Sequence, residues 1–292
     1  MKNNLEKFKQ RLEKFEEQKR IKILHRGISK KDVFDRFNLD TKYNTIKQFK
    51  ERLYFYGEKS KYFWKQRIKS DFGINDIDEK VFRYIFGKFT EIYDSRESLK
   101  KQKKNYVDKN RKKFEFFSKG DNLDVFLNAI SDLSDNDKTL LRNYYFRIIH
   151  QLGETDYINQ SLLVSSSQIE DVAKKFSKGD IIIYFWDFDF NNLPNLSGDG
   201  IVFFNGKPYE NQVEISVFGA IFPHYIYAFK YEEKYYLNPA LEKLEDEEAM
   251  DMAIVFGFNI NQDGFQERAK TEIIGNTVEW DNGEFKEHKI YR

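Results

Sequence analysis

Leu162-Leu163-Val164-Ser165-Ser166-Ser167-Gln168-Ile169-Glu170-Asp171-Val172-Ala173-Lys174-Lys175-Phe176 is the stretch on which the reading of the whole chain turns. Apolar residues at its start suit a short strand over 161–164, and three consecutive hydroxyls follow. Glu170 and Asp171 then supply negative charge where the start of a helix favours it. Val172, Ala173 and Phe176 recur on one face, as a short helix over 169–176 requires. Ser167, with Glu170 three residues on, has the pattern of a helix cap. Capping leaves Ser165 and Ser166 without a structural purpose.

The periodicity differs on the two sides of this stretch. Upstream, Leu5, Phe8, Leu12 and Phe15 fall three or four apart and predict an amphipathic helix over 5–19. A short strand over 21–24 ends at His25-Arg26-Gly27. From 29 to 152 the spacing is helical, with helices expected at 32–37, 45–56, 61–68, 79–92, 123–133 and 138–152. Ser134, three residues before Asp137, opens a capping box. Downstream, 181–190, 200–204, 212–218, 221–229 and 234–237 read as strands. Gly198-Asp199-Gly200 and Asn205-Gly206 are turn signals between them. An acidic helix over 239–252 and a β-rich tail follow. The pattern predicts an α+β protein in three stretches: 1–28 as an N-terminal helix and first core strand, 29–152 as a helical lobe, and 153–292 as the rest of the core.

Composition narrows the chemistry. The 292 residues contain no Cys, which excludes disulfides, thiolate nucleophiles and thiolate metal sites. The start of the chain is polar and no run approaches the length of a membrane span, so a soluble cytoplasmic protein with no membrane contact is expected. The net charge of +1 hides a division. Residues 1–120 hold 34 Lys+Arg against 18 Asp+Glu, while the remainder holds 15 against 30. Such asymmetry suits a polyanion-binding lobe, or two surfaces of one protein that attract each other. Eight of the fourteen residues from 100 to 113 are Lys or Arg, which reads as a solvated helix face or a mobile linker.

Three separated pieces carry candidate chemistry. The first is Leu24-His25-Arg26-Gly27, where a planar guanidinium suits phosphate oxygens and glycine lets a ligand or a neighbouring backbone come close. For this piece taken alone, an ordinary salt bridge at a strand end is the simpler reading of Arg26. The second is the Ser165-Ser166-Ser167 run. The third is Tyr209-Glu210-Asn211-Gln212-Val213-Glu214-Ile215-Ser216-Val217-Phe218-Gly219. On a strand beginning at 212, Gln212 and Glu214 alternate onto one side. A polar, exposed strand face is the simpler reading of that piece. His150, just before Gly153, is placed to face the cleft, although a lone His more often serves structure.

Taken in order, these pieces resemble the ADP-ribosyltransferases of the Arg–Ser–Glu class. That family has an Arg on its first strand. A Ser-Thr-Ser strand follows, leading into a helix, and then a Glu-x-Glu or Gln-x-Glu pair opens a later strand. Ser166 stands where Thr is usual, and 139 positions separate Arg26 from Ser165, which implies an insertion. Arg26-Gly27 and the Gly153 region also bear a looser likeness to bacterial defence-associated domains named for a Phe-Arg-Gly motif. The resemblance implies a core of two packed, mainly antiparallel sheets with a large helical insertion lobe.

It also implies NAD⁺ as co-substrate, no metal, and transfer of ADP-ribose to RNA or protein by a toxin or antiviral effector. An antitoxin or chaperone partner would restrain such an enzyme. Glu214 would stabilise the oxocarbenium-like transition state. Ser165 would orient Glu214, and Gln212 would meet the acceptor. Arg26, Gly27, His25, Ser165 and Ser166 would contact NAD⁺. Phe176, Phe185 and Tyr209 are candidates for stacking on its rings, although a Phe-rich chain buries most of its Phe. Two rivals remain: a metal nuclease built on Asp187, Asp189 and Glu214, and a basic nucleic-acid-binding protein without catalysis.

Overall fold

The computed structural model of the chain describes residues 2–30, 45–58, 76–153, 163–188, 198–218, 221–258, 278–281 and 284–287. The helices expected at 32–37 and 61–68 lie outside these residues. In chain order the elements are α1 (Lys2–Glu17), β1 (Ile21–Ile28), α2 (Thr45–Tyr56), α3 (Glu79–Asp94), α4 (Lys101–Lys109), α5 (Arg111–Phe117), α6 (Asn122–Ser131) and α7 (Asp135–Leu152). Then come β2 (Leu163–Ser167), α8 (Glu170–Phe176), β3 (Ile181–Phe188), β4 (Glu214–Phe218), β5 (Ile226–Tyr231), β6 (Lys234–Leu237), α9 (Glu247–Phe256), β7 (Val278–Asp281) and β8 (Glu284–Glu287). The protein is α+β, with antiparallel strand pairing. No described helix is long and apolar enough to cross a membrane.

The chain forms two compact units: 1–65 with 164–190 and 219–292, and 66–163 with 191–218. The unit richer in helices thus starts after α2 and takes in a later segment as well. Local periodicity over 29–152 does not signal that division, because it reports which face of an element is apolar and not what covers it.

In the first unit, five strands pair in the order β2-β1-β3-β5-β6. β3 is central. Ile181 to Trp186 are each at most 5% exposed, as a strand covered on both faces requires. Ile182, Tyr184 and Trp186 join the core formed with α1 through Leu5, Phe8, Leu12 and Phe15. The Phe8 ring meets Trp186, Tyr227 and Phe258 at 5.4–5.9 Å. The alternate residues Ile183 and Phe185 face the other way, where Phe49 of α2 packs edge-on to Phe229 at 4.9 Å. The eight-pair ladder between β1 and β3 sets His25 opposite Tyr184 and Arg26 opposite Ile183. His25 and Arg26 therefore project from opposite faces of the sheet.

The second unit is built on phenylalanine. Phe89 stacks on Phe117 at 4.6 Å and on Phe204 at 4.9 Å, with Phe86, Phe114, Phe126 and Tyr145 around them. Asp78 caps α3 and Ser134 caps α7, each by accepting a backbone N–H three residues on. The Lys/Arg-rich run is ordered as α4 and α5, which bury Tyr106, Val107, Phe114 and Phe117 and leave most cations outside.

Residues 200–204 are not a strand, because their backbone is satisfied by side chains. The Tyr145 hydroxyl donates to the Val202 carbonyl at 2.9 Å and accepts from the Val202 N–H at 3.1 Å. Tyr144 does the same for Phe204, and the Asn110 amide for Asn205. The β7–β8 hairpin pairs separately. A second sheet packed face to face, as the resemblance implies, is not seen among the described residues.

Candidate functional site

The expected site residues fall into both units. His25, Arg26, Gly27, Ser165, Ser166 and Phe176 belong to the first; Tyr209, Gln212 and Glu214 belong to the second.

In the first unit, Arg26 Nη1 donates to the Ser165 carbonyl oxygen at 2.7 Å. Arg26 Nη2 lies 3.9 Å from Oε1 of Glu58, a fully buried carboxylate. Glu58 is fixed in turn by backbone pairing with Ile221. Arg26 and Ser165 are thus brought together, but through the serine carbonyl and beside a buried acid. That environment matches the simpler reading of Arg26 as a salt-bridge residue.

The neighbours of Arg26 have structural occupations. A Cβ on Gly27 would sit 1.8 Å from the Ala173 carbonyl oxygen, so glycine is required there because α8 crosses β1 at backbone contact. The space above Gly27 is filled by protein, so on this side the close approach is that of a neighbouring backbone. The His25 ring packs edge-on against Tyr184 at 5.2 Å, and its Nδ1 lies 3.3 Å from the Ser167 carbonyl oxygen. Burial pushes its pKa below the ordinary imidazole value, against the pull of Glu170 and the Ser167 carbonyl. Since His25 and Arg26 face opposite ways, the two do not address one ligand by side chain.

Ser167 does not cap α8. Its hydroxyl accepts from the Ile169 N–H at 3.0 Å in a two-residue turn, and Ile169 is the cap position. Glu170 accepts instead from the Tyr184 hydroxyl at 2.8 Å. Ser166 is 6% exposed within β2, and Phe176 ends α8 with 60% of its surface exposed. Phe185 is a core residue at 1%.

In the second unit, the expected strand over 212–218 begins only at Glu214. Gln212 ends a 3-10 turn, Glu210–Gln212, and Val213 follows with φ 43° and ψ 46°. A β-branched residue in the left-handed region is strained, at a cost of about 1–3 kcal/mol. The pleat that would have put Gln212 and Glu214 on one face is therefore absent, and their relation rests on this turn. Ser216, two residues on within β4, shares the face of Glu214. Its hydroxyl donates to Glu214 Oε1 at 3.4 Å.

Two further groups reach Glu214 from the end of α7. Gln151 Nε2 donates to Glu214 Oε2 at 3.3 Å. His150 Nε2 lies 3.9 Å from Glu214 Oε1. The His150 and Glu214 side chains are 7% and 11% exposed. Burial, with Glu214 second, raises the pKa of the half-buried Tyr209 phenol. The result is one carboxylate set among an amide, an imidazole and a hydroxyl. It is suited to holding negative charge in a fixed position.

Sequence reasoning overlooked Glu58 and Gln151. Nothing local marks Glu58. Gln151 did leave a signal: α7 is buried on nearly every side from Leu141 to Leu152, so two consecutive polar residues there are anomalous for a core helix. Of the rival metal cluster, Asp187 has its carboxylate bonded to its neighbour's N–H at 2.9 Å, and Asp189 lies outside the described residues. Comparison with protein-family models, curated proteins and solved structures found no match.

Proposed function

We propose that the chain is an NAD-dependent mono-ADP-ribosyltransferase that acts on RNA or protein, with Glu214 as its catalytic carboxylate. The observation that carries this reading is the setting of Glu214. It follows a strained, left-handed Val213, is largely withdrawn from solvent, and is held by donors on both oxygens. Backbone strain of this kind collects at functional positions, where the surrounding structure enforces it.

In the proposed reaction the bond between nicotinamide and ribose breaks, and its electron pair leaves with nicotinamide. Positive charge develops on the ribose, and a fixed carboxylate stabilises it more than water would. Arg26, hydrogen-bonded through Nη1 to the Ser165 carbonyl, supplies a guanidinium of the type that suits a pyrophosphate. Gln212 carries no charge, so it would orient an acceptor and not deprotonate it. The role of a toxin or antiviral effector, restrained by a partner, belongs to the same proposal and follows from the family resemblance.

The exposed cations Lys100, Lys101, Lys109 and Lys112 support an acceptor with negative charge. Lys103 is excluded from that role, because its ammonium donates to the Leu152 and Gly153 carbonyls at 3.0 and 2.8 Å. Lys104 is paired with Glu97.

The decisive experiment is Glu214→Gln, which keeps size and removes charge. NAD⁺ binding by calorimetry is expected to persist while nicotinamide release falls roughly 10²–10³-fold. Labelled NAD⁺ incubated with cell extract, followed by nuclease or protease digestion, identifies the acceptor. Release by the Gln variant at the wild-type rate would remove Glu214 from the chemistry.

A further inference from the structure

The last turn of α7 buries two consecutive polar residues, His150 at 8% and Gln151 at 6% exposure. Burying such groups is unfavourable unless each finds a partner. Both reach the same side chain. Gln151 donates to one oxygen of Glu214, and His150 approaches the other. Consecutive helical residues ordinarily point about 100° apart and do not share a target. Here they straddle one carboxylate at the end of the helix.

The consequence is mechanical. The terminal torsion of a glutamate is broad, so an unrestrained carboxylate swings freely. Contacts to both of its oxygens, from Gln151 on one and from His150 and Ser216 on the other, fix that torsion. The support is itself held. The Lys103 ammonium closes the end of α7 on the Leu152 and Gly153 carbonyls, which the helix leaves without internal donors. Nearly two turns earlier, Tyr144 and Tyr145 of the same helix pin Phe204 and Val202 in the segment that leads towards Glu214. One helix thus holds both the partners of the carboxylate and the chain that delivers it.

We infer that His150 and Gln151 are positioning residues that lock the Glu214 carboxylate in its reactive orientation. They act through Glu214 and not on the substrate. The inference rests on Glu214 being the catalytic carboxylate, and its test separates the two ideas.

The test is a double-mutant cycle on NAD⁺ consumption, with Gln151→Leu made in the wild-type and the Glu214→Gln backgrounds. Gln151→Leu keeps approximate size and loses the donor. It is expected to lower kcat about tenfold to a hundredfold, in line with the cost of misplacing a reacting group by about 1 Å. KM for NAD⁺ and the melting temperature are expected to stay near their wild-type values. In the Glu214→Gln background the same change should cost nothing further, because the group being positioned is already disabled. A purely structural Gln151 would produce the same loss in both backgrounds. If Gln151→Leu lowers the melting temperature by more than a few degrees, Gln151→Met replaces it. His150→Phe, which keeps a planar ring, is expected to follow the same pattern.

Equal losses in the two backgrounds, or no loss in the first, overturn the inference while a collapsed Glu214→Gln leaves Glu214 in place. A wild-type chain that consumes no NAD⁺, or a Glu214→Gln chain as active as wild type, overturns the reading of Glu214 and the inference with it.

Discussion

The two charges on which the proposed chemistry depends, Arg26 and Glu214, sit in surroundings of different kinds. Arg26 lies on a strand whose neighbouring residues are explained by packing. Gly27 makes room for α8, His25 lies against Tyr184, and the guanidinium itself meets a carbonyl and the buried Glu58. Glu214 lies at a strand start that packing alone does not explain. The residue before it is strained, and its partners are polar side chains drawn from a helix end. A motif residue surrounded by structural necessities is weak evidence for function, since the fold demands it anyway. A charged residue that the fold supports at a cost is stronger evidence.

The comparison can be broken most forcefully at Gly27. Gly27→Ala sets a methyl against the Ala173 carbonyl, and a backbone group cannot rotate away as a side-chain end does. Strain and displacement of α8 are expected to cost at least about 3 kcal/mol, read as a lowered denaturation midpoint. A variant with wild-type stability would show that β1 and α8 are not in backbone contact. Gly27 would then return to the list of candidate ligand residues.

Arg26→Met comes next. It removes the guanidinium beside a buried carboxylate, and a loss of about 3 kcal/mol is expected. Arg26→Met combined with Glu58→Leu should recover most of that stability, since the buried acid goes with its partner. If Arg26 also binds NAD⁺, the double variant folds well and still binds it poorly. Recovery of both stability and NAD⁺ affinity would make Arg26 purely structural and leave the comparison sharper.

The smallest effect concerns another buried charge of the first unit. Burial pushes the Asp187 carboxyl up to about 6, against the opposing pull of the Phe188 N–H and Lys22. A carboxyl whose folded value lies above its unfolded one binds its proton more tightly when folded. Its contribution to stability is full below pH ~4 and is lost as pH rises through about 6. Asp187→Asn should therefore be more stable than wild type at pH 7 and lose that advantage near pH 4. Melting temperatures across that range check it, and a difference independent of pH would place the Asp187 carboxyl in contact with solvent.

Much of the fold was legible in local pattern. Leu5, Phe8, Leu12 and Phe15 announced α1, the apolar run from Ile181 announced the strand β3, and Ser134 announced the start of α7. The errors arose where a side chain took the place of a regular backbone partner. Residues 201–204 are β-branched and aromatic like a strand, yet Tyr144, Tyr145 and Asn110 supply the hydrogen bonds that a strand would have supplied. Ser167 has the spacing of a cap, yet it closes a turn one residue earlier. Gln212 alternates with Glu214 in sequence, and the left-handed Val213 breaks the pleat between them.

The candidate site divides in the same way. Glu214, Arg26 and Ser165 were identifiable as residue types in an ordered series. The sequence by itself determined the α+β class, the principal apolar faces and the absence of thiol chemistry, because those depend on period and composition. The tertiary structure alone decided that Arg26 faces Glu58 and that Gly27 yields to α8. It alone decided that His150 and Gln151, sixty-odd residues upstream, close around Glu214. Periodicity describes one element at a time. The surroundings of a charge are assembled from elements distant in sequence, through contacts that no local pattern encodes.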